Sequence, residues 1–415
     1  MNLPQLYRVK QQVKQTKPLD IEAAISSEMA RLEVGQIIAP GDSVAITAGS
    51  RGIANIQQIL KTIVDELKAL GSKPFIVPAM GSHAGGTAQG QARLLAGLGI
   101  TRDKMGCPIR ASMEVVKVGQ SDLNIPVYLD KYAYGADHIF VVNRVKPHTK
   151  FSGKVESGLI KMCLIGLGKR EGAGIYHRAI DHYSWDEVVD SVREILLSRT
   201  HVKFGLAILE NAQEETAAIV GLRRDEFFTR EPALLNEARK MMPSLPFEEI
   251  DLLIVDEMGK EFSGTGMDTN ITGRKPGSAV QVLRIFVRDL TSASLGNAQG
   301  IGLADFTTTR LVEKIDRNAL YLNSRTAHRT DTCKIPMTFE NDRVALEIAM
   351  EMTCIRKQQE KRIVWIKNTL ELQEILVSQA YLPAIDTRGD LKIIGGPYQI
   401  KFDKTNNLVH PLQTG

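Results

Sequence analysis

The chain has 415 residues, 43% hydrophobic and 24% charged, with 52 Lys+Arg against 48 Asp+Glu and a net charge of +4. That length suits two compact cores better than one, and the composition is that of an ordinary globular protein, which excludes disorder on a large scale. So slight a positive excess, with no basic block, argues against a nucleic-acid partner held by phosphate neutralisation.

The four cysteines, Cys107, Cys163, Cys333 and Cys354, form no Cys-x-x-Cys pair. Their spacing matches neither a zinc site nor a disulfide framework, so a reducing cytoplasm is the expected location. The opening MNLPQLYRVKQQVKQ lacks an apolar core of signal-peptide length. No run approaches the ~20 apolar residues of a membrane span, so no membrane partner is expected.

In chain order, residues 43–48 (SVAITA) read as a short buried strand that runs into Gly49 and the turn GSRG. Over 55–70, Ile56, Ile59, Leu60, Ile63, Val64 and Leu67 fall on one helical face, and Gly71 ends the helix. Residues 74–79 (PFIVPA) give the next strand, followed by MGSHAGG and a helix over 87–97. Strand, helix and strand joined by short glycine-rich turns predict a parallel sheet with helices on its faces. Further strands are expected near 113–117, 126–129, 138–143, 203–209 and 216–221, with helices over 155–165, 184–198 and 224–242.

The two prolines of MMPSLPFEE (241–249) mark a linker. A second unit begins with strand 250–256 and continues through a glycine-rich loop at 259–273 and a strand near 281–288. Helices near 306–316, 318–326 and 342–357 and a strand near 362–366 follow, and the final ten residues read as loosely held. The pattern predicts two α/β domains with mainly parallel sheets, 1–245 and 246–415, and an active site in the interdomain cleft.

Catalytic groups in parallel sheets collect at the carboxyl ends of strands. Here those ends carry Ser50-Arg51-Gly52, Gly81-Ser82-His83, Arg144 to His148, and Glu257 to Lys260. The set is cationic and contains bases, which suits an anionic ligand that must lose a proton. GSRGIANI is read as opening a helix, so that an anion can rest at Ser50 and Arg51. Glycines around His83 leave its imidazole uncovered. Lys161 falls among Leu159, Ile160, Met162, Leu164 and Ile165, where burial favours a neutral, nucleophilic amine. Lys260 and Arg274 are the cationic handles of the loop at 259–273.

These motifs resemble the lactate racemase family, whose members use a nickel-pincer nucleotide. The resemblance is strongest over 44–56, 80–91, 141–177 and 250–274. It is similar to the broader branch acting on various 2-hydroxy acids: an aspartate of the lactate enzymes is replaced by Ala48, and the interval from His148 to Lys161 is longer. The resemblance implies that Lys161, in Ser157-Gly158-Leu159-Ile160-Lys161, anchors the cofactor covalently. That cofactor is pyridinium-3-thioamide-5-thiocarboxylic acid mononucleotide carrying nickel. Ser50, Gly52 and Ser157 would help bind it, and His177, sixteen residues beyond Lys161, would complete the nickel coordination. His83 and His148 would be general bases on opposite faces of the substrate, with Arg51 and Lys260 on its carboxylate.

The implied partners are a small 2-hydroxy acid and the proteins that make the cofactor. The implied reaction is inversion at C2, an isomerase activity. Two other readings stand beside it: an NAD-dependent dehydrogenase, although no Gly-x-Gly-x-x-Gly with a downstream acid is present, and a nucleotide-binding module without chemistry.

Overall fold

The computed structural model describes residues 3–12, 17–50 and 52–411. The chain forms two compact units, Gln15–Met242 and Met1–Lys14 with Pro243–Gly415. Both are α/β, with mainly parallel sheets. The prolines at 243 and 246 mark the change of unit, but residues 1–14 do not go with 15–242. The strand Leu6–Gln11 pairs antiparallel with Glu374–Ser378 and Leu391–Tyr398. Local sequence carries no sign of partners more than 360 positions away, such as Ser378 opposite Leu6.

The Gln15–Met242 unit is built on a five-stranded sheet in the order Lys73–Pro78, Ser43–Ala48, His138–Arg144, Val202–Glu210, Thr216–Arg223. All its pairings are parallel except the last. The helix Ile56–Ala69 packs on it through the six residues that the apolar period singles out, all buried. The chain leaves that helix through Gly71 at φ 76°, a left-handed turn that suits glycine. Val115–Gln120 and Pro126–Asp130 form a separate antiparallel ribbon rather than joining the main sheet.

The expected helix over 155–165 is instead a single turn, Leu159–Lys161, followed by a π-helical turn, Met162–Gly166. The amide of Leu167 bonds to the carbonyl of Met162 at 2.8 Å and closes the wider ring. The glycine-rich stretch after it is helical too, over Lys169–Ala179. A Cβ on Gly168 would lie 2.1 Å from the Leu164 carbonyl oxygen, so glycine is needed where the π turn meets this helix.

The other unit holds an eight-stranded mixed sheet centred on Glu249–Met258, with Gln281–Leu290 and Ile363–Ile366 parallel on either side. Phe306–Thr308, expected within a helix, is a strand beside Gln281–Leu290. Near the C-terminus, Leu408–Val409 pairs with Lys401–Phe402 and Leu408 is buried, so this part of the final ten residues is ordered. Among the described residues, no helix is long and apolar enough to cross a membrane.

Candidate functional site

Three strand ends of the five-stranded sheet deliver the site. Ser43–Ala48 leads to Gly49 and Ser50, Lys73–Pro78 to the turn holding His83, and His138–Arg144 to Lys146 and His148. The Leu159–Lys161 turn and the Lys169–Ala179 helix add Lys161 and His177. Together these side chains line one cavity of about 180 Å³, whose walls also include Ser82, Asn143, Ser157, Met162 and Ile165. Every lining residue belongs to Gln15–Met242. His148, Lys161 and His177 are half-buried, and His83 is exposed.

The sequence-derived candidates therefore divide. His83, His148, Lys161, His177, Ser50 and Ser157 share the cavity. Gly52 is exposed and is not among the lining residues. Arg51 lies outside the described residues. Lys260 belongs to the other unit, where its ammonium meets the Gly264 carbonyl and, at 2.8 Å, Asn323 Oδ1.

No helix N-terminus lies at Ser50, contrary to the expectation from GSRGIANI. The helix starts at Ile56, several residues after GSRG, and Asn55 before it makes no side-chain cap. The protein itself supplies the anion there. Glu210 Oε1 accepts the Ala54 amide hydrogen at 2.8 Å, and Glu210 Oε2 pairs with Arg144. Arg144 is thereby neutralised, although it lines the cavity.

The turn carrying His83 is braced from behind. The Gly81 amide donates to the Gly166 carbonyl of the π turn at 3.2 Å. Gln91 Nε2 donates to the Gly81 carbonyl at 2.9 Å and lies 3.4 Å from that of His83. Lys169 reaches the Pro78 carbonyl and lies 3.0 Å from Asp130. Burial lowers the Lys169 ammonium from its ordinary value, while Asp130 beside it acts in the opposite direction.

The Lys161 turn is held at its start. Glu231 Oε2 accepts the amide hydrogens of Leu159 at 3.0 Å and Ile160 at 3.2 Å, and Asn143 donates to the Gly158 carbonyl at 2.8 Å. Burial pushes the Glu231 carboxyl up to about 8, against the pull of those two amides. The loop carrying His148 is closed by main-chain pairing of Lys146 with Ser157. It is also held by Glu156, which takes the His148 amide hydrogen at 2.6 Å and an Arg239 hydrogen bond at 2.7 Å. Phe151 stacks on His148 at 4.3 Å and on Trp185 at 4.4 Å, and approaches His177 at 5.4 Å.

Sequence reasoning missed Phe151, Lys169, Gln91 and Glu231. Only Lys169 carried a local signal, as a lysine within a glycine-rich run. Chemically, the lining offers three imidazoles, two amines, a guanidinium already paired, hydroxyls and one amide, with no carboxylate or thiolate among the described lining residues. Such a wall suits an anionic organic ligand. A metal held there through imidazole fits best when it arrives with most of its own donors.

Residues 2–186 match the family model described as the lactate racemase N-terminal domain. The fold is similar to the lactate racemase apoprotein from Thermoanaerobacterium thermosaccharolyticum, with a TM-score of 0.53 and 12% identity over 87% of this chain and 94% of that one. It is also similar to a structural-genomics protein from Thermotoga maritima, with a TM-score of 0.51 and 14% identity over 77% and 84% of the two chains. At these identities the likeness is one of fold. No curated protein matches the chain.

Proposed function

We propose, from the premise that this chain belongs to the lactate racemase family through its N-terminal domain, that it inverts the C2 centre of a small 2-hydroxy acid. The observation that carries this reading is that Lys161, His177, His83 and His148 line a single cavity.

The C2 hydrogen of a 2-hydroxy acid is only weakly acidic, so removing it as a proton is hard. Oxidation to the planar 2-keto acid and reduction on the other face avoids that difficulty. When bound, a nickel-pincer nucleotide supplies reversible hydride acceptance for such a cycle. The residues present fit it: Lys161 offers the amine for covalent attachment, His177 an imidazole for the metal, and Ser50 and Ser157 hydroxyls for its polar edge. Arg51, next to Ser50 in sequence, is assigned to the substrate carboxylate, for which a guanidinium fork is well shaped. His83, exposed on a braced turn, is assigned to take the hydroxyl proton as the carbon is oxidised.

The test is co-expression with the cofactor-making enzymes, followed by intact mass, nickel content and racemisation of a panel of 2-hydroxy acids. Wild type is expected to carry the added mass and nickel, and Lys161→Ala neither. Identical masses and no nickel in both proteins would overturn the cofactor assignment. His83→Ala is expected to lose racemisation while keeping the adduct.

A further inference from the structure

We propose that His148 is held with its ring hydrogen on Nε2 and serves the cavity as a hydrogen-bond donor rather than as a second base. The tautomer follows from geometry alone; the role rests on the function proposed above.

His148 Nδ1 lies 3.0 Å from the main-chain nitrogen of Lys150 and 3.0 Å from that of Phe151. Both neighbours are amide N–H groups, which only donate. The lone pair of Nδ1 must face them, and a neutral imidazole then has its one hydrogen on Nε2. His201 is arranged in the opposite way. Its Nδ1 lies 2.7 Å from the Ala136 carbonyl oxygen, an acceptor, so there Nδ1 carries the hydrogen.

The ring has little freedom to escape this arrangement. Turning it over would put a carbon against the two amides. Stacking on Phe151, with planes 11° apart, fixes the ring plane. Phe151 is itself held against Trp185, and Glu156 and Arg239 fix the main chain at His148.

A general base needs a lone pair aimed at the proton it takes. The only ring lone pair of His148 is directed at its own loop. Nε2 therefore presents a hydrogen, suited to an oxygen on which negative charge builds as the carbon changes oxidation state. No proton leaves His148 in this role. The hydroxyl proton goes to His83, so the two histidines are not equivalent.

The full-length chain labelled with 15N in its histidines tests this without cofactor. Long-range 1H–15N spectra are recorded at neutral pH, and the His148 signals are identified by their loss in His148→Gln. The expected result is a protonated Nε2 and an unprotonated Nδ1. A hydrogen on Nδ1, or on both nitrogens, overturns the proposal.

On cofactor-loaded protein, Gln keeps an N–H donor but has no basicity. His148→Gln is expected to stay within about tenfold of wild type in racemisation, while His148→Ala falls about 10²-fold, the usual loss on removing one such donor. Equal losses in the two variants overturn the donor role. Absence of the Lys161 adduct would defeat the family-based reading and leave the tautomer spectrum standing; a wrong tautomer with the adduct present defeats only this proposal.

Discussion

Lys169 Nζ lies 3.0 Å from Asp130 Oδ2, and neither side chain reaches solvent. Removing one half of a buried pair costs about 3–5 kcal/mol, because the surviving charge stays buried without compensation. Asp130 also caps the Lys131–Tyr134 turn through Oδ1, so alanine would mix two effects. Asparagine keeps the cap and removes the charge. Asp130→Asn is expected to lose about 3 kcal/mol in urea unfolding. Because Lys169 also reaches the Pro78 carbonyl, faster amide exchange at Gly81 and His83 is expected with it. A loss below about 1 kcal/mol would mean that the pair behaves like an exposed one.

Glu231 makes the stability of the fold depend on pH in a defined direction. Its folded carboxyl holds a proton up to about 8, whereas the unfolded chain releases it near the ordinary 4.5. Between those values the folded state binds more protons, so this group's contribution falls as pH rises through the window. Glu231→Gln mimics the protonated form and removes that fall. The stability of the variant relative to wild type is therefore expected to rise from about pH 5 to about pH 8. A flat or falling difference in parallel denaturation series would show that the carboxyl is ionised when folded.

How much of this was legible follows from the range of each interaction. The buried face of Ile56–Ala69 could be read directly because its apolar period is a local property. His83 and His148 could be read because strand ends of a parallel sheet share an edge, whereas His177, on the helix Lys169–Ala179, was reached only through the family resemblance. Lys161 was picked out by its apolar neighbours, yet it is half-buried, whereas Lys169, among glycines and charges, is fully buried. Burial of Lys169 is decided by Asp130 and Pro78, 39 and 91 positions earlier, which no local window contains. The strand at Leu6–Gln11 escaped for the same reason.

Gly158 tests how tightly Glu231 is fitted to the Lys161 turn. Its φ of 179° is ordinary extended backbone, so conformation does not demand glycine. Space does: a Cβ would lie 2.1 Å from Glu231 Oε1. Gly158→Ala is expected to cost about 1–3 kcal/mol, as overpacking usually does. Glu231→Ala alone leaves the Leu159 and Ile160 amides without their acceptor, at about 1–3 kcal/mol. With the Glu231 carboxyl gone the added methyl has room, so the double variant should cost less than the sum of the singles. Simple additivity in that cycle would show that the two positions do not press on each other.

The other unit has its own buried charge network, centred on Arg288. Its guanidinium meets Asp342 Oδ2 at 2.6 and 2.9 Å and also pairs with Asp256. Asp342 is fully buried and further holds the Leu408 amide at 2.9 Å, so the network ties the C-terminal segment to the strand Gln281–Leu290. Arg288→Met keeps much of the side chain's bulk but removes the main counter-charge of two carboxylates, leaving Asp342 with Arg310 at 3.2 Å and Asp256 with the Trp365 indole at 2.7 Å. It is expected to cost about 3–5 kcal/mol in the Pro243–Gly415 unit. The exposed pair Lys61–Asp65 is the control, since breaking an i,i+4 surface pair costs about 0.5 kcal/mol or less. Hydrogen exchange measured strand by strand separates the two cases. Protection should drop at Gln281–Leu290 and around Leu408 in the first variant and stay near wild type in Lys61→Ala. An Arg288→Met protein as stable as the control would mean that Arg310 and Trp365 suffice for Asp342 and Asp256, or that the acids hold protons, when the arginine is gone.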